Sequence, residues 1–240
     1  MRLADQHVVV IGGSSGMGLA TAHAASREGA AVTVVSSTRE RVDAALAELP
    51  RPCRGVVLDV RDTDAVTGFF EQAGELDHLV FTAGDAFSPR RLAELSVAEA
   101  RAVFEVRFWG AVAVVASAVP HLSKSGSIAL TTGTVGQRPV PGAALAAAGA
   151  GATEGLVRGL AAELSPVRVN AVRAGAVRTP LWDRAPQAQR EAAFASLASR
   201  TLMGTMGEPE DIALAHLCLM ENRYVTGTVL TVDGGLLLAG

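Results

Sequence analysis

The chain has 240 residues, of which 49% are hydrophobic and 19% charged, and its formal net charge is −3. This length suits one α/β domain, since such domains of about 200–250 residues commonly fold as a unit. Basic residues are scattered along a mildly acidic chain, which argues against a nucleic-acid surface. We expect no membrane partner, because no apolar run approaches the roughly 18 residues of a spanning helix. We expect a cytoplasmic protein, because the first residues lack the apolar stretch of a signal peptide.

The sequence predicts neither a disulfide framework nor a metal site. Cys53 and Cys218 are the two cysteines, and they lie far apart. The histidines show no ligand spacing, and we interpret all of them as structural or surface residues. They are His7, His23, His78, His121 and His216.

Short β-branched runs alternate with longer alanine-rich stretches, a pattern typical of a doubly wound parallel α/β sheet with helices on both faces. The continuous apolar runs indicate strands buried on both faces. A stretch at 180–207 with two prolines is predicted to be a partly helical insertion that covers a substrate site. The seven predicted strands are 7–11, 31–36, 54–60, 77–84, 127–132, 167–173 and 227–235. The predicted helices are 16–28, 39–48, 62–73, 97–119, 143–164 and 209–221.

A glycine-rich turn follows the first strand and opens the first helix. Gly12 permits the tight turn, Gly16 lets the backbone approach a pyrophosphate, and Gly18 allows the helix to pack closely on the strand. The helix N-terminus then presents free N–H groups and a positive dipole end to the phosphates. This context favours a dinucleotide site over a purely structural turn. The predicted contacts in this turn are Gly12, Ser14, Ser15, Gly16 and Met17.

The end of the second strand indicates which dinucleotide is preferred. An acidic residue there binds the ribose 2′-hydroxyl of NAD, whereas a nearby arginine accommodates the 2′-phosphate of NADP. The chain has Ser36, Ser37, Thr38 and Arg39 at this point and no acidic residue. We therefore expect NADP(H) to be preferred over NAD(H), with Ser36, Ser37 and Arg39 as contacts. The alternative is that Arg39 is a solvated residue at the start of the next helix.

The order of motifs along the whole chain resembles that of the short-chain dehydrogenase/reductase family. The matching segments are the glycine pattern at 12–18, LDV at 58–60, TAG at 82–84, GSI at 126–128, EGLVRGLAAEL at 154–164, VRVNAV at 167–172, VRTP at 177–180, GEPEDIA at 207–213 and VTGTVLTVDGG at 225–235. The resemblance implies one Rossmann-type domain over 1–240 that transfers hydride between a nicotinamide and a carbonyl or alcohol. It also implies that Asp59 and Val60 flank the adenine and that Val177 and Thr179 contact the carboxamide. Ala83 and Gly84 are expected to back the ribose. Thr82, just before them, stands where the family usually has an asparagine.

The residues that carry this family's acid–base chemistry are missing. In the family, the tyrosine of a Tyr-x-x-x-Lys pair donates the proton and the lysine lowers the pKa of that tyrosine, while a serine and an asparagine assist. The corresponding positions are Ala146 and Ala150 for the pair, Gly133 for the serine and Arg107 for the asparagine. Residues 139–160 contain neither tyrosine nor lysine, so a shift in register does not restore the pair. Conventional catalysis of this family is therefore not expected.

Several polar residues remain near the expected nicotinamide, and we treat them as candidates for catalysis. Asp85 follows the TAG turn at the carboxyl end of a strand, where α/β folds place ligands. Arg107 is suited to polarise a carbonyl or hold a carboxylate, but guanidinium groups stay protonated in proteins and are poor proton donors. Alternatively, these are ordinary strand threonines and solvated arginines. The candidates are Arg107, Thr132, Thr134, Asp85 and Arg138, with Thr131 beside them.

Three glycines recur every four residues in the helix at 143–164, at Gly151, Gly155 and Gly159. Each costs about 1 kcal/mol relative to alanine in a helix interior, so close approach by a partner is a plausible compensation. The corresponding helix of the family lies in a subunit interface, which implies a homodimer or homotetramer. The alternative is a frayed helix start near Gly149.

Three functional hypotheses follow. The first is an NADP(H)-dependent oxidoreductase that acts on a small carbonyl, enone or imine substrate with an unconventional proton donor. The second is a non-redox enzyme, an isomerase, lyase or cyclase, that uses Arg107, Arg138 and Asp85. The third is a catalytically inactive subunit or nucleotide sensor. Fold alone does not decide among them.

Overall fold

Seven strands form one parallel sheet in the computed structural model of the chain, which describes residues 1–50, 52–85 and 89–239. The strands are β1 (His7–Ile11), β2 (Ala31–Ser36), β3 (Cys53–Val57), β4 (Leu76–Phe81), β5 (Leu122–Gly133), β6 (Arg168–Ala174) and β7 (Val229–Val232). Their order is β3-β2-β1-β4-β5-β6-β7, and every neighbouring pair is parallel. The predicted seven-stranded sheet is confirmed. The order reverses between β1 and β4, which is where folds of this type bind ligands.

Helices cover both faces of the sheet. They are α1 (Gly16–Arg27), α2 (Arg39–Glu48), α3 (Thr63–Ala73), α4 (Val97–Phe104), α5 (Ala111–Ala118), α6 (Ala144–Glu163), α7 (Gln187–Ala198) and α8 (Pro209–Glu221). On one face, Ala22 of α1, Ala45 of α2 and Ile212 of α8 belong to one buried apolar cluster. On the other, Phe70 of α3 and Val157 of α6 belong to a second cluster. The sheet is therefore buried on both sides, as the apolar strands predicted.

The helix predicted at 97–119 is interrupted. A π-helical turn, Glu105–Gly110, separates α4 from α5. A capping box begins the stretch: Ser96 Oγ accepts a hydrogen bond from Glu99 N, and the Glu99 carboxylate accepts one from Ser96 N. At the far end of the wide turn, Gly110 packs so closely on Val60 that a Cβ would lie 2.6 Å from Val60 Cγ2. Such turns occur frequently at functional sites.

The stretch Val97–His121 is also long and apolar enough, by length and composition alone, to cross a membrane, contrary to the expectation from the sequence. Its packing explains this composition in part. Val114 and Val115 lie in the core beneath the sheet, whereas Val103 and Trp109 are exposed. One side of the stretch therefore covers the sheet, and the other leaves an apolar surface.

The glycine-rich helix α6 is regular from Ala144 to Glu163, so the alternative of a frayed start near Gly149 is wrong. At Gly149, a Cβ would lie 3.6 Å from the Phe104 ring. At Gly151, Gly155 and Gly159, a Cβ would meet nothing within 4 Å in the described part of the chain. The glycines therefore form an open face of the protomer.

The segment at 180–207 is partly helical, as predicted. It contains a 3₁₀ turn, Pro180–Arg184, and α7. The Trp182 ring packs edge-on against Phe194 of α7, and its Nε1 donates to Val177 O at 2.9 Å. These contacts give the segment a small apolar cluster of its own.

Candidate active site

The predicted nucleotide cleft lies at the carboxyl ends of β1, β2 and β4. Gly12 has a φ of +80°, and a Cβ there would lie 2.6 Å from Ala83 N. A Cβ on Gly18 would lie 2.2 Å from Gly12 O. Neither position admits a side chain, so the turn and the start of α1 pack together as a dinucleotide turn requires. The residues present therefore fit a dinucleotide.

The first turn of α1 has the features of an anion-binding helix N-terminus. Its N-cap, Ser15, makes no side-chain capping hydrogen bond, and no acidic residue lies in the first turn. The backbone N–H groups and the positive end of the helix dipole are therefore left for a ligand. Beside them, Ser14 Oγ donates to Ser36 Oγ at 2.8 Å, which links the glycine turn to the end of β2.

Most predicted cofactor contacts line this one cleft. Thr82 Oγ1 lies 3.0 Å from Ile11 O and 3.2 Å from Gly12 O, so it joins β4 to the glycine turn. Val177 is buried and is not part of the cleft wall. The predicted residues that line the cleft are Gly12, Ser14, Ser15, Gly16, Met17, Ser36, Ser37, Asp59, Val60, Thr82, Ala83, Gly84 and Thr179.

Arg39, the arginine predicted to contact the cofactor, is not among the arginines that line the cleft. Arg39 is exposed, does not line the cleft, and lies 3.6 Å from Asp43. Arg41, two residues later, does line it, and so does Arg61, which binds the Asp59 carboxylate. Arg41 was not predicted to line the cleft. The signal for it was helical phase, since residues two apart on a helix face different directions.

A second cavity of about 490 Å³ adjoins the cleft, and Met17 and Asp85 line both. All four positions of the missing acid–base residues meet on its wall. Arg107 reaches it from the π turn, Gly133 from the end of β5, and Ala146 and Ala150 from α6. The four positions that the sequence assigned to the missing acid–base residues thus line one cavity, where alanine and glycine leave open space.

The wall of this cavity is mostly apolar, with Leu95, Val103, Phe104, Phe108 and Leu145 among its residues. The candidate polar residues Asp85, Thr131, Thr132 and Thr134 also line it. Thr132 Oγ1 lies 3.4 Å from Ala150 O, so this hydroxyl is directed at α6.

Arg138 is not brought to this cavity. Its Nη1 atom donates to Leu236 O at 2.9 Å and to Ala239 O at 2.5 Å. It is not among the described residues that line the cavity. The guanidinium therefore ties the loop after β5 to the last described residues, and the anion-binding role predicted for it has no support in this geometry.

Arg107 lines the cavity and contacts the backbone at Gly84 and Asp85. Its Nη2 atom donates to Asp85 O at 2.5 Å, and its guanidinium lies on Gly84, where a Cβ would be 2.5 Å from Arg107 Cζ. Burial by surrounding protein lowers the pKa of Arg107, and the Asp85 charge opposes this shift. The residue as a whole is nevertheless exposed, and it lines the cavity.

A buried hydrogen-bond chain lies behind this wall. Thr21 Oγ1 donates to Met17 O at 2.8 Å, so it accepts from His216 Nδ1 at 2.9 Å. The other ring nitrogen, Nε2, therefore carries no proton and faces Thr131 Oγ1 at 3.4 Å. Complete burial lowers the pKa of His216 to about 4, so the ring is neutral at physiological pH. The structural role predicted for this histidine fits these contacts.

Comparisons with known proteins agree with this geometry. The family model described as "Enoyl-(Acyl carrier protein) reductase" matches residues 12–237. The short-chain dehydrogenase/reductase ucsE of Acremonium sp is 34% identical over 99% of this chain and 97% of its own. Among solved structures, the MalC reductase/Diels-Alderase of Malbranchea aurantiaca has a TM-score of 0.92 at 30% identity, covering 99% of this chain and 98% of that one. A small-chain dehydrogenase in complex with NADPH has a TM-score of 0.86 at 34% identity, covering 98% and 99%. The chain belongs to the short-chain dehydrogenase/reductase family.

Proposed function

We propose that this protein is an NADP(H)-dependent oxidoreductase that reduces a small carbonyl, enone or imine without the family's tyrosine. The observation that carries the proposal is the junction of a nucleotide cleft with an apolar cavity, which share Met17 and Asp85. NADPH supplies a hydride when it is bound. A nicotinamide at this junction would meet a substrate held in the cavity.

The cofactor half of the proposal rests on the glycine turn and on Arg41. The turn offers free N–H groups to a pyrophosphate, and Arg41 lies where the cleft continues from Ser36 and Ser37. A relative of the same fold was solved with NADPH, which supports the same cofactor here.

The proposed substrate class rests on the absence of the family's acid–base residues from the cavity. General acid–base groups typically contribute about 10²–10⁴-fold to a rate, so their loss penalises reduction of an ordinary ketone. An iminium ion is already cationic and needs no proton from the enzyme. For a carbonyl or enone, the N–H groups of Arg107 and the hydroxyl of Thr134 can polarise the oxygen, with the proton arriving from solvent.

Calorimetric titration with NADPH and with NADH tests the first half. Tight binding of NADPH with a clear preference over NADH is expected, and binding of neither would reject the proposal. Oxidation of NADPH is then followed by absorbance with a cyclic iminium and the matching cyclic ketone. The iminium is expected to turn over faster; no turnover of a broad panel despite NADPH binding would favour a nucleotide sensor or inactive subunit.

A second candidate is a non-redox cyclisation or isomerisation in the same cavity. Arg107 favours it, because hydrogen bonds from a fixed cation lower the energy of charge that develops on a substrate oxygen. The MalC relative is described as both a reductase and a Diels-Alderase. Activity that persists without cofactor and is lost in Arg107→Ala would select this candidate.

The open glycine face of α6 supports a homodimer or homotetramer. The apolar side of Val97–His121 adds exposed Val103 and Trp109 to the surface available for a second copy. The segment at 180–207 acts as a substrate lid in this proposal, and the protein works in the cytoplasm on a small molecule, with no nucleic-acid or membrane partner.

A further inference from the structure

The cavity contains a cation with unused hydrogen-bond donors. An arginine carries five N–H donors. In the part of the chain that the structure describes, Asp85 O is the one acceptor found for those of Arg107. In the same part of the chain, no Asp or Glu side-chain oxygen lies within 4.0 Å of a guanidinium nitrogen of Arg107. The guanidinium is therefore a cation on the cavity wall with spare N–H donors and no carboxylate in salt-bridge contact among the described residues.

The other cation on the cavity wall differs in this respect. Arg90 Nη1 lies 2.9 Å from the Glu99 carboxylate, and its Nη2 donates to Glu94 O at 2.9 Å. Its charge is therefore compensated within the chain. Arg90 and Arg107 line one cavity, but Arg107 alone of the two is left to a ligand.

We propose that Arg107 binds a carboxylate of the substrate, so that the cavity selects organic acids with an apolar body. This rests on the proposed function, because it assigns the substrate class of the same cavity. The planar guanidinium fork matches the two oxygens of a carboxylate. The reducible carbonyl, enone or imine group would then belong to a molecule that also carries a carboxylate, and this carboxylate would compensate the charge of Arg107. A phosphate would bring a second negative charge, for which this wall offers no second free cation among the described residues.

The position of the fork is fixed by its neighbours. Gly84 has no side chain, and the guanidinium rests directly on its backbone. The hydrogen bond to Asp85 O holds one edge of the fork, so the remaining N–H groups are available on the cavity side. The apolar body of the ligand would lie among Phe104, Phe108 and Leu145.

Calorimetry with two nearly isosteric probes, 1-naphthoate and 1-naphthamide, tests the proposal. The wild type is expected to bind naphthoate at least about tenfold more tightly, the lower end of the range for charge-assisted hydrogen bonds. Arg107→Met is expected to remove this preference, and Arg90→Met, the matched control, is expected to keep it. Equal binding of the two probes, no binding of naphthoate at millimolar concentration, or a preference that follows Arg90 would each overturn the proposal.

A second variant covers the possibility that Arg107→Met does not fold, as judged by its melting temperature. Asp85→Asn removes the carboxylate whose charge acts on Arg107. Naphthoate is then expected to bind about two- to fivefold more tightly, because the competing negative charge is gone. Weaker binding would contradict the proposal. An NADPH titration of the same samples separates the two proposals. Naphthoate preference without NADPH binding rejects the redox function alone, and NADPH binding without naphthoate preference rejects only the carboxylate site.

Discussion

Glu154 and Arg173 form a two-pronged ion pair that joins α6 to β6, with Nε–Oε1 and Nη2–Oε2 distances of 2.9 and 2.8 Å. Their side chains are only 6% and 13% exposed. Arg173 Nη1 also donates to Thr231 Oγ1 of β7 at 2.9 Å. This pair fixes the helix that carries positions 146 and 150 against the sheet, and it explains an arginine at 173 in structural terms.

Breaking this pair is expected to destabilise the fold strongly. Glu154→Gln leaves a buried guanidinium without its counter-charge, which typically costs about 3–5 kcal/mol. Urea denaturation of the variant measures the loss of unfolding free energy. The double variant Glu154→Leu/Arg173→Leu removes both charges and is expected to recover most of it. A loss below about 1 kcal/mol in Glu154→Gln would contradict the role assigned to this pair.

Arg41 and Arg39 make a matched test of cofactor preference. Arg41→Ala is expected to weaken NADPH binding by about 10- to 100-fold, as for the loss of a charge-assisted contact to the 2′-phosphate. NADH binding should change little, because NADH lacks that phosphate. Arg39→Ala is expected to leave both affinities nearly unchanged. Calorimetry distinguishes the two, and a larger effect at Arg39 would restore the interpretation made from sequence.

Stability is expected to fall as the solution is acidified, partly because of His216. Its pKa is about 4 in the folded protein and near 6.5 when unfolded, so the unfolded chain takes up a proton first. The stabilisation that comes from the neutral, buried His216 is fully present above pH 6.5 and is lost as the pH falls from 6.5 to about 4. The total loss of unfolding free energy is about 3 kcal/mol. Burial of His78 lowers its pKa to about 4 as well and adds to the effect.

The variant Thr21→Val/His216→Leu isolates the first of these histidines. It replaces both partners of the buried hydrogen bond with apolar groups, which is often nearly neutral for stability. Urea denaturation at pH 7.5 and pH 5 should show a smaller difference in unfolding free energy than in the wild type. An unchanged pH dependence would show that His216 does not titrate as its burial indicates.

The open glycines of α6 allow a test of self-association. Gly155→Leu adds a side chain where the protomer has nothing within 4 Å, so the monomer should still fold. Light scattering after gel filtration is expected to show a smaller assembly than the wild type. Gly68→Leu on α3, another helical glycine with open space around it, is the control and should leave the mass unchanged. An unaltered mass in Gly155→Leu would place the interface elsewhere.

The sheet and the nucleotide cleft were predictable because they follow from periodicity and from the spacing of glycines. The positions Arg107, Gly133, Ala146 and Ala150, which motif order assigned, all line one cavity. The sequence did not show the direction in which individual side chains point. Arg39 and Arg41 are both basic residues at the start of α2, and only the helix geometry decides which one reaches the cleft.

Arg138 illustrates the same limit for a long-range contact. Its partners, Leu236 O and Ala239 O, are backbone atoms about a hundred residues away, and backbone acceptors leave no mark in a sequence. The π turn at Glu105–Gly110 was missed for a related reason. The stretch has the composition of a continuous helix, and the extra residue in the turn changes only the pattern of hydrogen bonds.

That extra residue sets the angular relationship between the two halves of the interrupted helix. Each residue of an α-helix advances the side chains by about 100°, and a π turn absorbs one residue without advancing the turn count. Deleting one residue within Glu105–Gly110 would restore a regular helix, so Arg107 and the core residue Val114 would no longer both point to their present surroundings. The location of the charge in the cavity is thus determined by the number of residues in this turn as well as by their identity.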